Sequence, residues 1–262
     1  MANVVRQAEQ PGGSLMSKVP QVTLMFWFIK ILATTVGETG GDALSMTLQL
    51  GYAVSSLIFL GFFAITLAAQ VTSRKYHPFA YWAVVVATTT VGTTMSDYLD
   101  RTLNLGYVKS SIFLFCGVLL VLFIWRRTVG KIEYENITTR KEEIFYWVTI
   151  LVSNTLGTAL GDFVASTAGL GFETGALIFA GLLALVALAY FWLKNIPASV
   201  LFWSAYVLTR PLGATLGDTL TKAHAQGGFA LGRFVSSFSI AALMVVAIAL
   251  ASGRQRWVEN NR

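Results

Sequence analysis

A chain of 262 residues, 55% of them apolar and only 12% charged, with a mean hydropathy of +0.64, excludes an ordinary soluble domain and reads as an integral membrane protein. At roughly 20 apolar residues per spanning helix the length holds at most about ten spans and leaves no room for a second large soluble domain. A single cysteine, Cys116, excludes an intrachain disulfide and a cysteine metal cluster, and the formal charge of +6 takes its meaning from where the charges fall.

Residues 1–20 are polar and lack the apolar run and cleavage site of a secretory signal, so they read as a cytoplasmic tail. Eight apolar stretches follow, at 21–46, 52–71, 79–100, 108–126, 144–167, 173–193, 198–222 and 230–251. Each is long enough to cross about 30 Å of hydrocarbon as a helix. Helix is required because no water is present there to satisfy open backbone groups, and the runs lack the alternation of a barrel strand. The charged segment 127–143 reads as a cytoplasmic connection between two four-helix halves, 21–126 and 144–251, and 252–262 reads as a second cytoplasmic tail.

Thirteen of the nineteen basic residues (Arg6, Lys18, Arg74, Lys75, Arg126, Arg127, Lys131, Arg140, Lys141, Lys194, Arg254, Arg256 and Arg262) lie on one side of these spans. Four lie on the other, Arg101, Lys109, Lys222 and Arg233, while Lys30 and Arg210 fall within spans. The positive excess predicts that both termini are cytoplasmic in a multi-pass protein of the bacterial inner membrane. It makes the lipid bilayer the partner and gives no reason to expect nucleic acid, and it leaves the oligomeric state open.

The sequence repeats itself four times. Gly37-Glu-Thr-Gly-Gly-Asp42, Gly92-Thr-Thr-Met-Ser-Asp97, Gly157-Thr-Ala-Leu-Gly-Asp162 and Gly213-Ala-Thr-Leu-Gly-Asp218 share one pattern, at intervals of 55, 65 and 56 residues. Fifteen positions before each Asp stands a Trp (Trp27, Trp82, Trp147, Trp203), and nine after it a Gly (Gly51, Gly106, Gly171, Gly227). The expected fold is therefore all-α: eight transmembrane helices as four parallel two-helix repeats, unlike the inverted repeats common in transporters.

The Trp residues are expected to form a belt at the cytoplasmic headgroups, which puts each Asp about 22 Å deeper along its helix. Asp often caps helix ends or turns, but a carboxylate at that depth needs a cavity or a partner. Four-residue steps back from Asp42, Asp97, Asp162 and Asp218 trace a polar stripe through Glu38, Thr34 and Lys30, through Thr93 and Thr89, through Thr158 and Asn154, and to Arg210. Thr35, Thr90 and Thr155 widen it. Singly these Thr and Gly residues serve packing; together they are expected to line or gate a pathway.

A stripe of hard oxygen atoms without Cys or His suits Mg²⁺, Ca²⁺, Mn²⁺, protons or alkali cations. Glu38 and Asp42, four apart, repel each other when both are ionised, and either a proton or a metal ion relieves that repulsion. The first repeat is thus the expected centre, with Glu38, Asp42, Asp97, Asp162 and Asp218 as metal ligands. Lys30 is divided between snorkelling and an internal counter-ion role, and Arg210 beside Pro211 is expected to pair with a facing carboxylate. Asp100 and Arg101 are expected to pair at the outer mouth. No nucleophile elbow, P-loop or His-rich signature is present, so neither an enzyme nor a resident cofactor is expected.

Lys30, Thr35, Gly37, Glu38, Thr39, Gly41 and Asp42 resemble the K-x-x-x-x-T-x-G-E-T-x-G-D signature of a bacterial family of uncharacterised membrane-anchored proteins built from a repeated two-helix unit, and the likeness extends over 21–251. A looser similarity is to the manganese and calcium exchangers with an E-x-G-D-K/R-S/T motif. Here Glu38 lies four rather than three residues before Asp42, the unit occurs four times, and Ala43 stands where that motif has a basic residue. These readings predict a secondary transporter for a hard cation, Mn²⁺ foremost, exported against protons. The alternatives are a passive cation channel with an Asp-lined pore, or a structural membrane protein.

Overall fold

A computed structural model of the chain describes residues 18–260 apart from 74–75, 133, 135–136 and 194, with side chains described as far as residue 253. The tail over 1–17, the charges Arg6, Arg74, Lys75, Lys194 and Arg262, and the side chains of Arg254 and Arg256 lie outside the described residues. The described residues hold eight α-helices and no strand: α1 (Leu24–Asp42), α2 (Gly51–Thr72), α3 (Pro78–Asp97), α4 (Tyr107–Val129), α5 (Arg140–Asp162), α6 (Phe172–Trp192), α7 (Ala198–Thr221) and α8 (Arg233–Asn260).

Local chemistry marks the helix starts. Thr23 accepts from the Phe26 N–H, Pro78 opens α3 where its missing N–H costs nothing, and Thr139 with Glu142 forms a reciprocal capping box. At the other end, α1, α3 and α5 pass directly from their repeat Asp into a π-helical turn, Ala43–Thr47, Tyr98–Thr102 and Phe163–Thr167. The fourth copy differs, because α7 continues to Thr221 without such a turn and runs unbroken through Pro211.

The odd-numbered helices form a closed ring in which α1 packs on α3, α3 on α5, α5 on α7 and α7 on α1. Each return helix leaves its own repeat and covers the ring helix of the next: α2 lies on α3, α4 on α5, α6 on α7, and α8 closes the cycle on α1. Glycine sets the approach. Gly37 meets Thr89, Gly92 meets Asn154, Gly157 meets Arg210 and Gly213 meets Thr34, so each repeat glycine faces the residue eight before the Asp of its neighbour. One turn further, Gly41 meets Thr93, Gly161 meets Ala214 and Gly217 meets Glu38. The two series advance together, so the ring helices run parallel. Thr89 donates to the Ala33 carbonyl at 3.2 Å, Thr93 to that of Gly37 at 3.0 Å and Thr34 to that of Thr209 at 3.2 Å, tying the helices where the glycines let them touch.

Among the described residues, five helices are long and apolar enough to cross a membrane: α2, α4, α6, α8, and α5 with its π-turn. Composition thus marks five where eight were expected. The physical reason is that α1, α3 and α7 bury polar and charged side chains in the ring, among them Lys30, Glu38, Thr93, Asp97, Arg210 and Asp218. The outer helices are the reverse, presenting Leu57, Ile65, Phe113, Leu177 and Phe238 largely exposed. A continuous apolar exterior of this kind fits hydrocarbon and not water.

The tryptophans face the ring interior instead of standing outward as a lipid-exposed belt. Trp82, Trp147 and Trp203 are buried and only Trp27 is half-buried. They pack with Phe26, Tyr81, Tyr146, Phe202 and Tyr206, largely edge-to-face, and the Tyr81 and Tyr146 hydroxyls meet at 2.6 Å. Large flat rings fill the space where four helix ends converge on one axis, and that burial outweighs the headgroup preference of indole.

Candidate functional site

Along the ring axis, polar side chains form layers set by the four-residue steps of the helices. Nearest the aromatic plug, Lys30 is fully buried with its ammonium 4.2 Å from the centre of the Tyr206 ring. It does not snorkel. Its nitrogen has no hydrogen-bond acceptor among the described residues, and the ring face of Tyr206 is its electrostatic partner.

One turn further, Asn154 donates to Thr88 at 3.0 Å, and Arg210 crosses the axis from α7. The Arg210 guanidinium reaches Glu38 at 2.8 Å and Thr93 at 2.6 Å, joining α7, α1 and α3, and neither partner of the ion pair is more than 4% exposed. Thr35, Thr90 and Thr155 return their hydroxyls to carbonyls of their own helices, at Ile31, Val86 and Leu151. Thr34 is held against Gly213 and the Thr209 carbonyl.

The next layer holds the four repeat carboxylates, each buried. They are joined in pairs. Lys222 bridges Asp218 at 3.0 Å and Asp42 at 3.2 Å, while Arg101 bridges Asp97 at 3.0 Å and Asp162 at 3.4 Å. Arg233 adds a contact to Asp42 at 3.5 Å. Every repeat Asp therefore has a basic partner, and the fourfold helix ring carries a twofold pattern of charge. Glu38, Asp42 and Asp218 also offer carboxylate oxygens that all lie within 4.8 Å of one another, an arrangement able to hold a metal ion. Asp97 and Asp162 stand outside that group.

Arg101 was expected to pair with Asp100, and the structure corrects this. Asp100 turns to Ser96 at 3.1 Å and to Ser110 on α4, whereas Arg101, four residues past Asp97, falls back over the ring. Lys222 occupies the matching position four past Asp218. The charge distribution places both on the outer side, and their i,i+4 spacing from a repeat Asp is visible in the sequence. Arg233 carried no such signal, since it comes from the following helix.

The basic side chains roof the carboxylate layer: Arg101 is 34% exposed, Arg233 25% and Lys222 12%, while the Asp side chains beneath are at most 4% exposed. The layer is thus one side chain away from the surface at this end and separated from the other end by Arg210, Lys30 and the aromatic plug.

A family model described as a Repeat of Unknown Function (DUF347) matches the chain four times, over residues 25–76, 80–130, 145–195 and 201–256. Each match takes in one ring helix and the return helix that follows it. No curated protein and no solved structure matches.

Proposed function

The chain belongs to the DUF347 repeat family, and from the geometry of its site we propose that it is a secondary transporter of a hard, divalent cation, Mn²⁺ foremost, exported in exchange for protons. In this reading all eight helices cross the bacterial inner membrane. The apolar outer helices face lipid, the polar ring helices are shielded by them, and the aromatic plug and both termini face the cytoplasm. The cation is cargo, so the reading includes neither catalysis nor a resident cofactor.

The observation that carries the proposal is the buried trio Glu38, Asp42 and Asp218, with oxygens within 4.8 Å of one another on two helices pressed together through Gly213 and Gly217. Carboxylate oxygens are the ligands that Mn²⁺, Ca²⁺ and Mg²⁺ prefer. In the structure this trio faces protein cations, Lys222 on the two Asp residues, Arg233 on Asp42 and Arg210 on Glu38. A metal ion entering from the roofed end displaces the Lys222 ammonium toward solvent, and its return expels the ion. Protons arriving at the same carboxylates act in the same direction, because a neutral carboxyl binds metal poorly. Basic partners on all four repeat Asp residues disfavour the passive channel, whose selectivity ring requires carboxylates free to meet the ion.

The test is Mn²⁺ flux into liposomes carrying an internal fluorescent reporter, with and without a pH gradient. Gradient-dependent uptake by the wild type, abolished in Glu38→Gln/Asp42→Asn, is expected. Lys222→Met should lower both KM and turnover, because the cation that bridges both Asp residues then neither competes with the ion nor drives it off. Absence of flux for Mn²⁺, Ca²⁺ and Mg²⁺ in a well-folded preparation overturns the divalent reading.

A further inference from the structure

Each return helix covers a groove between two ring helices, and the four grooves are built from corresponding residues. Between α1 and α3, under α8, the groove is lined by Phe26, Ile29, Trp82 and Ile248 and encloses about 20 Å³. Between α5 and α7, under α4, the fully buried Trp125 stacks on Phe145 and meets Trp203 edge-on. Between α3 and α5, under α2, Gln70 is fully buried and donates to the Lys18 carbonyl.

The fourth groove, between α7 and α1 under α6, is left unfilled. It holds about 550 Å³ and is lined by Trp27, Phe202, Ala205, Ala184 and Ala187, with Thr209 also on its wall. Ala205 occupies the position that Ile29 holds in the α1–α3 groove, thirteen residues before the repeat Asp. The alanines of α6 leave the remaining space, and the volume falls in the range of sites that take a sizeable apolar ligand.

We propose that this groove seats one acyl chain of a membrane phospholipid. The occupant follows from where the groove lies and what lines it. It is continuous with the exposed apolar side chains Leu24, Leu185, Leu188 and Phe191, the surface that faces hydrocarbon, and it offers no buried charge to a polar ligand. Aliphatic and aromatic walls fit a flexible chain entering sideways from the bilayer, while Tyr134, Tyr190 and Thr23 at the end near the aromatic plug supply polar groups at headgroup level. The inference rests on the membrane location of the helices and is independent of the cation reading.

The experiment is native mass spectrometry of the full chain released from nanodiscs of phosphatidylethanolamine and phosphatidylglycerol. Wild type should retain one phospholipid after the loosely held lipid is stripped. Ala205→Ile, which gives this groove the side chain of its counterpart, and Ala187→Leu, which fills it from α6, should each lose that lipid while melting as the wild type does. Leu185→Ala, on the exposed face of α6 outside the groove, should keep it. A wild type that retains no phospholipid overturns the proposal, as do filled variants that retain it equally, or a photo-reactive chain that labels the groove no more than the rest of the apolar surface. Failure of Mn²⁺ flux with the lipid retained would strike only the transport reading.

Discussion

Gly213→Ala tests the packing of the ring most directly. A methyl at residue 213 would stand 2.2 Å from the Thr34 hydroxyl oxygen, 2.5 Å from its Cβ and 2.9 Å from its main-chain carbon. Ordinary contact begins near 3.5 Å, so α1 and α7 must part by about 1 Å, and rotating Thr34 gives no escape because the backbone is also too close. Overpacking of this kind costs roughly 1–3 kcal/mol, set against a gain of about 1 kcal/mol from replacing a helical glycine. The backbone clash puts the cost in the upper part of that range, for a net loss of about 1–2 kcal/mol. Gly61→Ala on α2 supplies the contrast: no atom lies within 4 Å of a methyl there, so only the propensity gain remains. Reversible unfolding in mixed micelles should therefore show the two substitutions moving stability in opposite directions. The same separation of α1 from α7 pulls Glu38 from Asp218 and, on the transport reading proposed above, should weaken Mn²⁺ uptake in Gly213→Ala alone. A Gly213→Ala protein as stable as the wild type, or a Gly61→Ala protein that loses as much, would refute the argument that glycine contact holds the ring.

Two further outcomes follow from paired side chains. Glu38→Gln and Arg210→Met should each cost about 3–5 kcal/mol, because either leaves a buried charge without its partner, while the double variant should cost clearly less than the two together; a thermodynamic cycle in micelles reads the coupling, and simple additivity would show that the pair is not coupled. Thr139→Ala removes the side-chain half of the α5 capping box and should lower stability by about 1 kcal/mol, with Thr139→Ser restoring most of it; equal melting of the three proteins would show that the cap is idle.

Helix positions were legible in the sequence because hydropathy and a fourfold spacing of Trp, Gly and Asp all mark the same segments. The polar stripe was legible too, being a matter of four-residue steps on one helix. What those side chains touch was not, because partners are chosen by the order in which the repeats close the ring. Glu38 and Arg210 lie 172 residues apart, and only the adjacency of α7 to α1 and α3 brings them together. The same applies to Lys222 on Asp42 and to Arg101 on Asp162. The tryptophans misled for a different reason: a rule for single helices in lipid assigns indole to the boundary, whereas four helices converging on an axis create an interior that needs filling, and Trp82, Trp147 and Trp203 fill it. Even the hydropathy that identified the chain is weakest in α1, α3 and α7, where the chemistry is densest.

The cover that α8 provides for α1 has a consequence for the order of synthesis. The helix bearing Lys30, Glu38 and Asp42 is made first, yet its ring neighbour α7, its basic partners Arg210, Lys222 and Arg233, and its outer shield all come from the last repeat. Until the ribosome has delivered that repeat, the nascent chain carries two acidic side chains in an unfinished seam. Arrival of the fourth repeat and charge neutralisation are therefore a single event, and a product truncated before residue 198 would be an arc with raw edges instead of a smaller version of the whole.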